Sequence, residues 1–312
     1  MTHRLVVVLS ARLGAVLPAA AVSALRAGAP LRADAGLPAA LRDAFSADGT
    51  GDDGVLLTLD PGTAEAAQWL AAGAEVVRTP EPPGAALLDA VAVMDRLRSP
   101  GGCPWDAEQT HTSLLPYLVE ETYELYEAVT DGDRAALREE LGDVLLQVLF
   151  HARLAAERDF DVDAVAEDLV AKLVGRHPHV FGNGERVATA SDQEVRWEEL
   201  KYAEKRRESS VDGVAGGQPA AALAAKLVSR TARAGLPADL LPGGTAAGAA
   251  LFALAAAVRL AGEDPEGVLR TAARGFAADV RAAERSARAA GLDPAALTPQ
   301  QWRAHWPSSP SP

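Results

Sequence analysis

Short apolar runs rich in β-branched residues alternate with alanine-rich stretches over the first eighty or so residues, and a helical periodicity then takes over. Leu5 to Leu9 (LVVVL) and Val55 to Leu59 (VLLTL) read as buried strands, with Glu75–Val77 as a third. The stretches around Ala19–Ala27 and Thr63–Ala72 read as helices, and Pro18 suits the first turn of the earlier one. This pattern predicts a small α/β domain over residues 1–83. Pro80–Gly84 (PEPPG), a cluster of breakers, closes it. Residues 85–208 are helical in period and richly charged. Residues 209–219 are glycine-rich and read as a linker, residues 220–306 as a second helical segment, and residues 307–312 as a frayed tail. The expected fold class is mainly α: an all-α helical bundle with a small N-terminal α/β domain and a C-terminal helical repeat.

The repeat rests on one pair of segments. Gly142–Arg153 reads GDVLLQVLFHAR and Gly248–Arg259 reads GAALFALAAAVR, each followed by Leu-Ala. Glu140 and Asp143 of the first copy align with Ala246 and Ala249 of the second, so a true repeat has kept packing positions and lost its charges. Chance similarity between alanine-rich helices is the competing reading.

Leu118 to Phe150 carries the candidate chemistry. Two amphipathic stretches flank Thr130-Asp131-Gly132-Asp133, where Gly132 suits a left-handed C-terminal cap and Asp133 an N-cap. So short a turn forces the helices antiparallel. Glu124 and Glu140 lie eight residues either side of Gly132, about 12 Å along each helix at the usual rise. Glu121 and Asp143 lie eleven either side, about 16 Å out. Each pair is spaced i, i+3 within its helix. The four carboxylates can therefore meet as one patch, with Glu120 as a flank. Converging carboxylates need a counter-ion. Oxygen-only ligands on rigid helices suit a hard cation, Mg²⁺ or Mn²⁺. The competing readings are a solvated acidic face and a di-iron bundle. The latter wants Glu-x-x-His from two helices, and only Glu108 with His111 supplies one.

The formal net charge of −13 argues against a nucleic-acid partner, whose affinity comes mostly from a basic face. It leaves room for a nucleotide, since a divalent cation can bridge carboxylates to phosphate. Cys103 is the single cysteine, which excludes an intrachain disulfide and makes a reducing compartment the default. Arg4, the apolar run after it and Ala19–Ala21 invite a signal-peptide reading, but Arg12 interrupts the run. No stretch approaches the roughly 20 apolar residues of a membrane span. The expected location is cytoplasmic.

Glu120-Glu121-Thr122-Tyr123-Glu124 followed by Glu140-Leu141-Gly142-Asp143 resembles the EExxE…ExxD signature of MazG-type nucleoside triphosphate pyrophosphohydrolases. Other landmarks stand in the family's order: Met94–Arg98 (MDRLR), Cys103-Pro104-Trp105-Asp106, Glu108-Gln109-Thr110, Lys172-Leu173, Arg176–Phe181 (RHPHVF), and Trp197 with Lys201. The resemblance covers residues 85–208. It implies Mg²⁺-dependent hydrolysis of nucleoside triphosphates between the α- and β-phosphates, with broad specificity and a role in cleaning the nucleotide pool. It implies that Glu121, Glu124, Glu140 and Asp143 ligate metal, that Lys172, Arg176 and Lys201 contact phosphates, and that Trp197 shapes or stacks on the substrate. Glu120 is the candidate to accept the water's proton. It also implies a homodimer built by helix packing. The segment after Gly217 departs from two-copy members by lacking both acidic motifs, so it is expected to be structural. The residues before Pro83 carry no recognisable chemistry. A protein that binds metal and nucleotide without turnover, and a purely structural helical protein, are the alternatives from other classes.

Overall fold

The computed structural model describes residues 4–308, apart from residues 48, 52, 183–188, 191, 194–195 and 198–207. The chain forms two compact units, Met1–Gly175 and Arg176–Pro312.

The first unit opens with a parallel four-stranded sheet: β1 (Arg4–Val8), β2 (Leu31–Ala33), β3 (Gly54–Thr58) and β4 (Glu75–Arg78), in the order β2-β3-β1-β4. β1 pairs on both sides, Val6 lying opposite Leu56 and Val76. A parallel strand covered on both faces must be apolar throughout, which is why LVVVL and VLLTL show no alternation. Leu5, Val7, Val55 and Leu57 point to one face, where α1 (Ala19–Arg26) contributes Ala21 and α2 (Ala39–Phe45) contributes Leu41 and Phe45. Val6, Val8 and Leu56 point to the other face, where α3 (Ala64–Ala71) contributes Ala66 and Trp69. β2 and α2 were not expected from the sequence. β2 has three residues with Arg32 at its centre, and α2 follows Pro38 with no side-chain cap, so neither offers a readable period.

Helices fill the rest of this unit. They are α4 (Ala86–Arg98), α5 (Pro104–Glu108), α6 (Leu115–Asp131), α7 (Arg134–Ala155) and α8 (Val162–Arg176), the last ending just past the unit's limit. The hairpin of α6 and α7 forms as expected. Gly132 takes φ +70°, and the Asp133 carboxylate accepts from the amides of Ala135 and Ala136. Met94 of α4, Leu114, and Leu149, Phe150 and Leu154 of α7 form one buried core. Each such side chain contributes roughly 1.5–3 kcal/mol on burial. Two arginines brace it. Arg153 pairs with Asp95 at 2.7 Å. Arg98, largely buried, pairs with Glu157 and donates to the carbonyls of Asp106 and Gln109. The MDRLR and CPWD landmarks are thus two sides of one clamp. Gly102 belongs to it, because a Cβ there would lie 2.1 Å from the Leu97 carbonyl oxygen.

The second unit contains α9 (Pro178–Phe181), α10 (Ala220–Arg233), α11 (Ala247–Leu260), α12 (Pro265–Ala289) and α13 (Pro299–His305). Its buried apolar side chains are mostly alanines, such as Ala224, Ala255, Ala256, Ala283 and Ala287. Asp264 caps α12, and Thr298 with Gln301 forms a capping box on α13. Ala246, the counterpart of Glu140, is the extended N-cap residue of α11 rather than a mid-helix position. Of the expected tail, residues 309–312 lie outside the described residues. Among the described residues no helix is long and apolar enough to cross a membrane.

Candidate active site

The hairpin brings three acidic residues together. Glu121 of α6 and Glu140 and Asp143 of α7 each offer a carboxylate oxygen, all within 4.8 Å of one another. All three residues are half-buried. The Glu121 carboxyl is pushed above its ordinary pKa, first by desolvation and then by the charges of Asp143, Glu124 and Glu120. Glu140 is raised likewise, by desolvation and then by Glu124 and Asp143. One Glu140 oxygen is buried with no hydrogen-bond partner. Raised carboxyls, an orphaned oxygen and an oxygen-only donor set together fit a divalent hard cation. Glu124 and Glu120 are exposed. Glu124 stands outside the trio, but its charge acts on both glutamates.

Among the described residues no histidine joins the trio, so the donor set is not that of a di-iron bundle. His111 instead faces His151 of α7. Their Nδ1 atoms lie 2.7 Å apart, the planes are 10° from parallel and the centroids are 5.0 Å apart. The rings therefore meet edge to edge around one shared proton. Desolvation first, then His111, lowers the His151 pKa, and its Nε2 is buried without a partner. Between His151 and the trio lies Gln147, 4% exposed, whose amide oxygen makes no hydrogen bond. Glu140, Asp143, Gln147 and His151 thus form a polar line along α7 at spacings of 3, 4 and 4 residues. The sequence reading missed Gln147 and His151. The available signal was this spacing through an otherwise apolar segment.

The cationic and aromatic candidates are placed as follows. Lys172 is exposed on α8, four residues before Arg176. In the second unit Arg176 is 6% exposed, and its guanidinium carbon lies 5.1 Å from the centroid of the Trp197 ring. The His177 ring also meets Trp197, at 5.0 Å between centroids. Arg176, His177 and Trp197 therefore form one cation–aromatic cluster. Lys201 lies outside the described residues.

Comparison with known proteins bears directly on this arrangement. Residues 4–77 match the MazG N-terminal domain, and residues 109–181 match the MazG nucleotide pyrophosphohydrolase domain. A relative from Mycolicibacterium smegmatis, named nucleoside triphosphate pyrophosphohydrolase, is 45% identical over 301 residues, covering 90% of this chain and 87% of its own. The chain belongs to the MazG nucleotide pyrophosphohydrolase family. A relative of the same name from Mycobacterium tuberculosis is 44% identical over 288 residues, covering 88% of this chain and 85% of its own. The MazG nucleoside triphosphate pyrophosphohydrolase/pyrophosphatase of Thermotoga maritima is 49% identical over 121 residues, 38% of this chain and 46% of its own. The matched MazG domain contains Glu120, the four candidate ligands, Lys172 and Arg176, whereas Trp197 and Lys201 fall beyond it. The N-terminal sheet, in which the sequence showed no chemistry, corresponds to the MazG N-terminal domain.

Proposed function

We propose that this chain hydrolyses nucleoside triphosphates to a monophosphate and pyrophosphate at the carboxylate trio, as the names of its relatives say of those proteins. The observation that carries the reading is the convergence of Glu121, Glu140 and Asp143 within 4.8 Å from two helices. These three, with Glu124, would hold Mg²⁺, or Mn²⁺ in its place. Such an ion supplies charge neutralisation on phosphate oxygens and a lowered pKa for an attacking water. Glu120, exposed beside Glu121, is assigned the water's proton. Lys172, Arg176 and Lys201 are assigned to the phosphates and Trp197 to the nucleoside, on the resemblance. Carboxylates and cations read the triphosphate common to all nucleotides, which supports broad specificity and a house-cleaning role. In the second unit both aligned acidic positions are alanines, and one of them precedes the helix. This supports a degenerate, non-catalytic second copy.

A homodimer is part of the same reading. Leu141, Leu146 and Val148 of α7 and Leu169, Val170 and Leu173 of α8 are exposed apolar residues. A helical hairpin with an open apolar face is completed by packing into a bundle. The location assigned is cytoplasmic, on the single cysteine.

The deciding assay incubates each common triphosphate with the protein in Mg²⁺ or in EDTA. Phosphate is read with and without added inorganic pyrophosphatase. Phosphate that appears only with Mg²⁺ and pyrophosphatase, and is lost in Glu121→Gln and Asp143→Asn, establishes α–β cleavage at this trio. A folded protein that binds Mg²⁺ but turns over no triphosphate would leave binding without catalysis.

A further inference from the structure

We propose a second ligand site in the first unit, for a small organic phosphate bearing hydroxyls, at the carboxyl ends of β1, β3 and β4. The topology selects the place. β1 and β3 are parallel neighbours, yet α1 leaves β1 for the face of Leu5 and Val7, whereas α3 leaves β3 for the face of Val6 and Val8. Chains that part to opposite faces at the carboxyl ends of adjacent strands open a crevice there, the usual ligand position in open parallel sheets. A cavity of about 440 Å³ occupies that position, lined among others by Val8, Ser10, Arg12, Leu59, Arg78 and Thr79. Small-molecule sites commonly fall within roughly 300–1,000 Å³. It shares no residue with the carboxylate trio.

The side chains there select the ligand class. Ser10 is 5% exposed; its hydroxyl donates to Glu81 at 2.6 Å and accepts from the amides of Arg12 and Leu13. Arg12 pairs with both Glu81 and Asp89, so both carboxylates of the lining are turned toward one fixed cation. Arg78 is exposed and makes no ion pair among the described residues. The lining thus carries two positive and two negative groups and is neutral overall, and Arg78 is the one of the four that makes no ion pair among the described residues, which leaves its guanidinium open to an anion. A phosphate is the anion a guanidinium holds best, through paired charge-assisted hydrogen bonds. Hydroxyls on the same ligand find acceptors in the Glu81 and Asp89 carboxylates. Sugar phosphates and nucleoside monophosphates combine both features at a size the cavity admits.

The test is calorimetric titration of the full chain with AMP and with ribose 5-phosphate, in EDTA so that no metal supports binding at the trio. Wild type and Glu121→Gln should bind either probe alike. Arg78→Ala should bind at least tenfold more weakly, and Arg78→Glu not at all, with unchanged circular dichroism. Unchanged affinity in Arg78→Ala would overturn the proposal. So would no binding of either probe to wild type at millimolar concentration, or loss of binding in Glu121→Gln. Because neither metal nor turnover enters, the result is independent of whether the trio hydrolyses triphosphates.

Discussion

Replacing Gln147 by methionine should make the protein more stable and less active. Gln147 is 4% exposed on α7, one turn from Asp143 and one turn from His151, and its amide oxygen is buried without a hydrogen bond. A buried polar group without a partner costs about 1–3 kcal/mol. Methionine has a similar length and volume, no such group, and a flexible chain that fills irregular space. The gain should therefore be about 1–2 kcal/mol, seen as a higher urea midpoint at constant slope. For a unit of this size it corresponds to roughly 2–8 °C in melting temperature. The same residue lies on the polar line that begins with Glu140 and Asp143. A stability cost retained beside a site is expected where the group serves the site. Steady-state kinetics on the preferred triphosphate should show kcat/KM reduced at least tenfold while Mg²⁺ affinity is unchanged. If Gln147→Met loses about 1 kcal/mol or more, the amide oxygen has a partner in the folded protein and the reasoning fails. A stabilised variant with full activity would remove Gln147 from the site.

Three further outcomes follow from the same structure. Glu121 and Glu140 have raised pKa values, so the folded, metal-free protein holds protons that the unfolded chain has released. Their contribution is complete below the ordinary carboxylate range and is lost as pH climbs through the raised values. Melts in EDTA should therefore fall as pH rises from about 4, Mg²⁺ should stabilise more near about pH 8 than near about pH 4, and Glu121→Gln should flatten both trends, the lower pH lying below the ordinary glutamate value of about 4.3 and the upper well above it. His151 has the opposite sign: its lowered pKa gives stability that is present above the ordinary imidazole value of about 6.5 and is lost as pH falls below it. His151→Gln should remove that acid-side loss, and an unchanged pH profile would refute the assignment. Gly102→Ala should destabilise by about 1–3 kcal/mol in urea unfolding, because its Cβ meets the Leu97 carbonyl oxygen and the clamp around Arg98 must shift.

What the sequence made legible followed from how strongly each segment's local chemistry was fixed. β1 and β3 could be read because central parallel strands are apolar on both faces. β2 could not, because three edge residues with Arg32 at the centre carry no period. The hairpin was legible in Gly132 and Asp133, a cap and a cap that permit only one turn. Counting from that turn found the trio but treated Glu124 as equivalent to Glu121. The inward seam of α6 runs through Leu118, Glu121, Leu125 and Ala128, and three residues of helix carry Glu124 past it to the exposed side. Gln147 and His151 went unread because an isolated polar residue in an apolar helix reads as a surface position unless its spacing of four from Asp143, and again from Gln147, is counted. Pro80–Gly84 read as a boundary from its breakers, and the ion pair of Arg12 with Asp89 across it could not be read because it joins residues 77 positions apart.

The arrangement of α7 explains how the site can exist at all. One of its faces gathers Glu140 and Asp143 against Glu121, a set of like charges that opposes folding while no cation balances it. Its distal half sends Leu149, Phe150 and Leu154 into the core with Met94 and Leu114, while the pairs Arg153–Asp95 and Glu157–Arg98 fasten its end to α4. The stabilising contacts therefore begin with Leu149, six residues or under two turns past Asp143, and run on to Leu154, so the helix between carries the cost to the core. A rigid helix also fixes the backbone separation of Glu140 and Asp143, which preorganises two of the three carboxylates. On the proposed reading an ion would meet carboxylates already held close, and relief of their repulsion would add to its affinity.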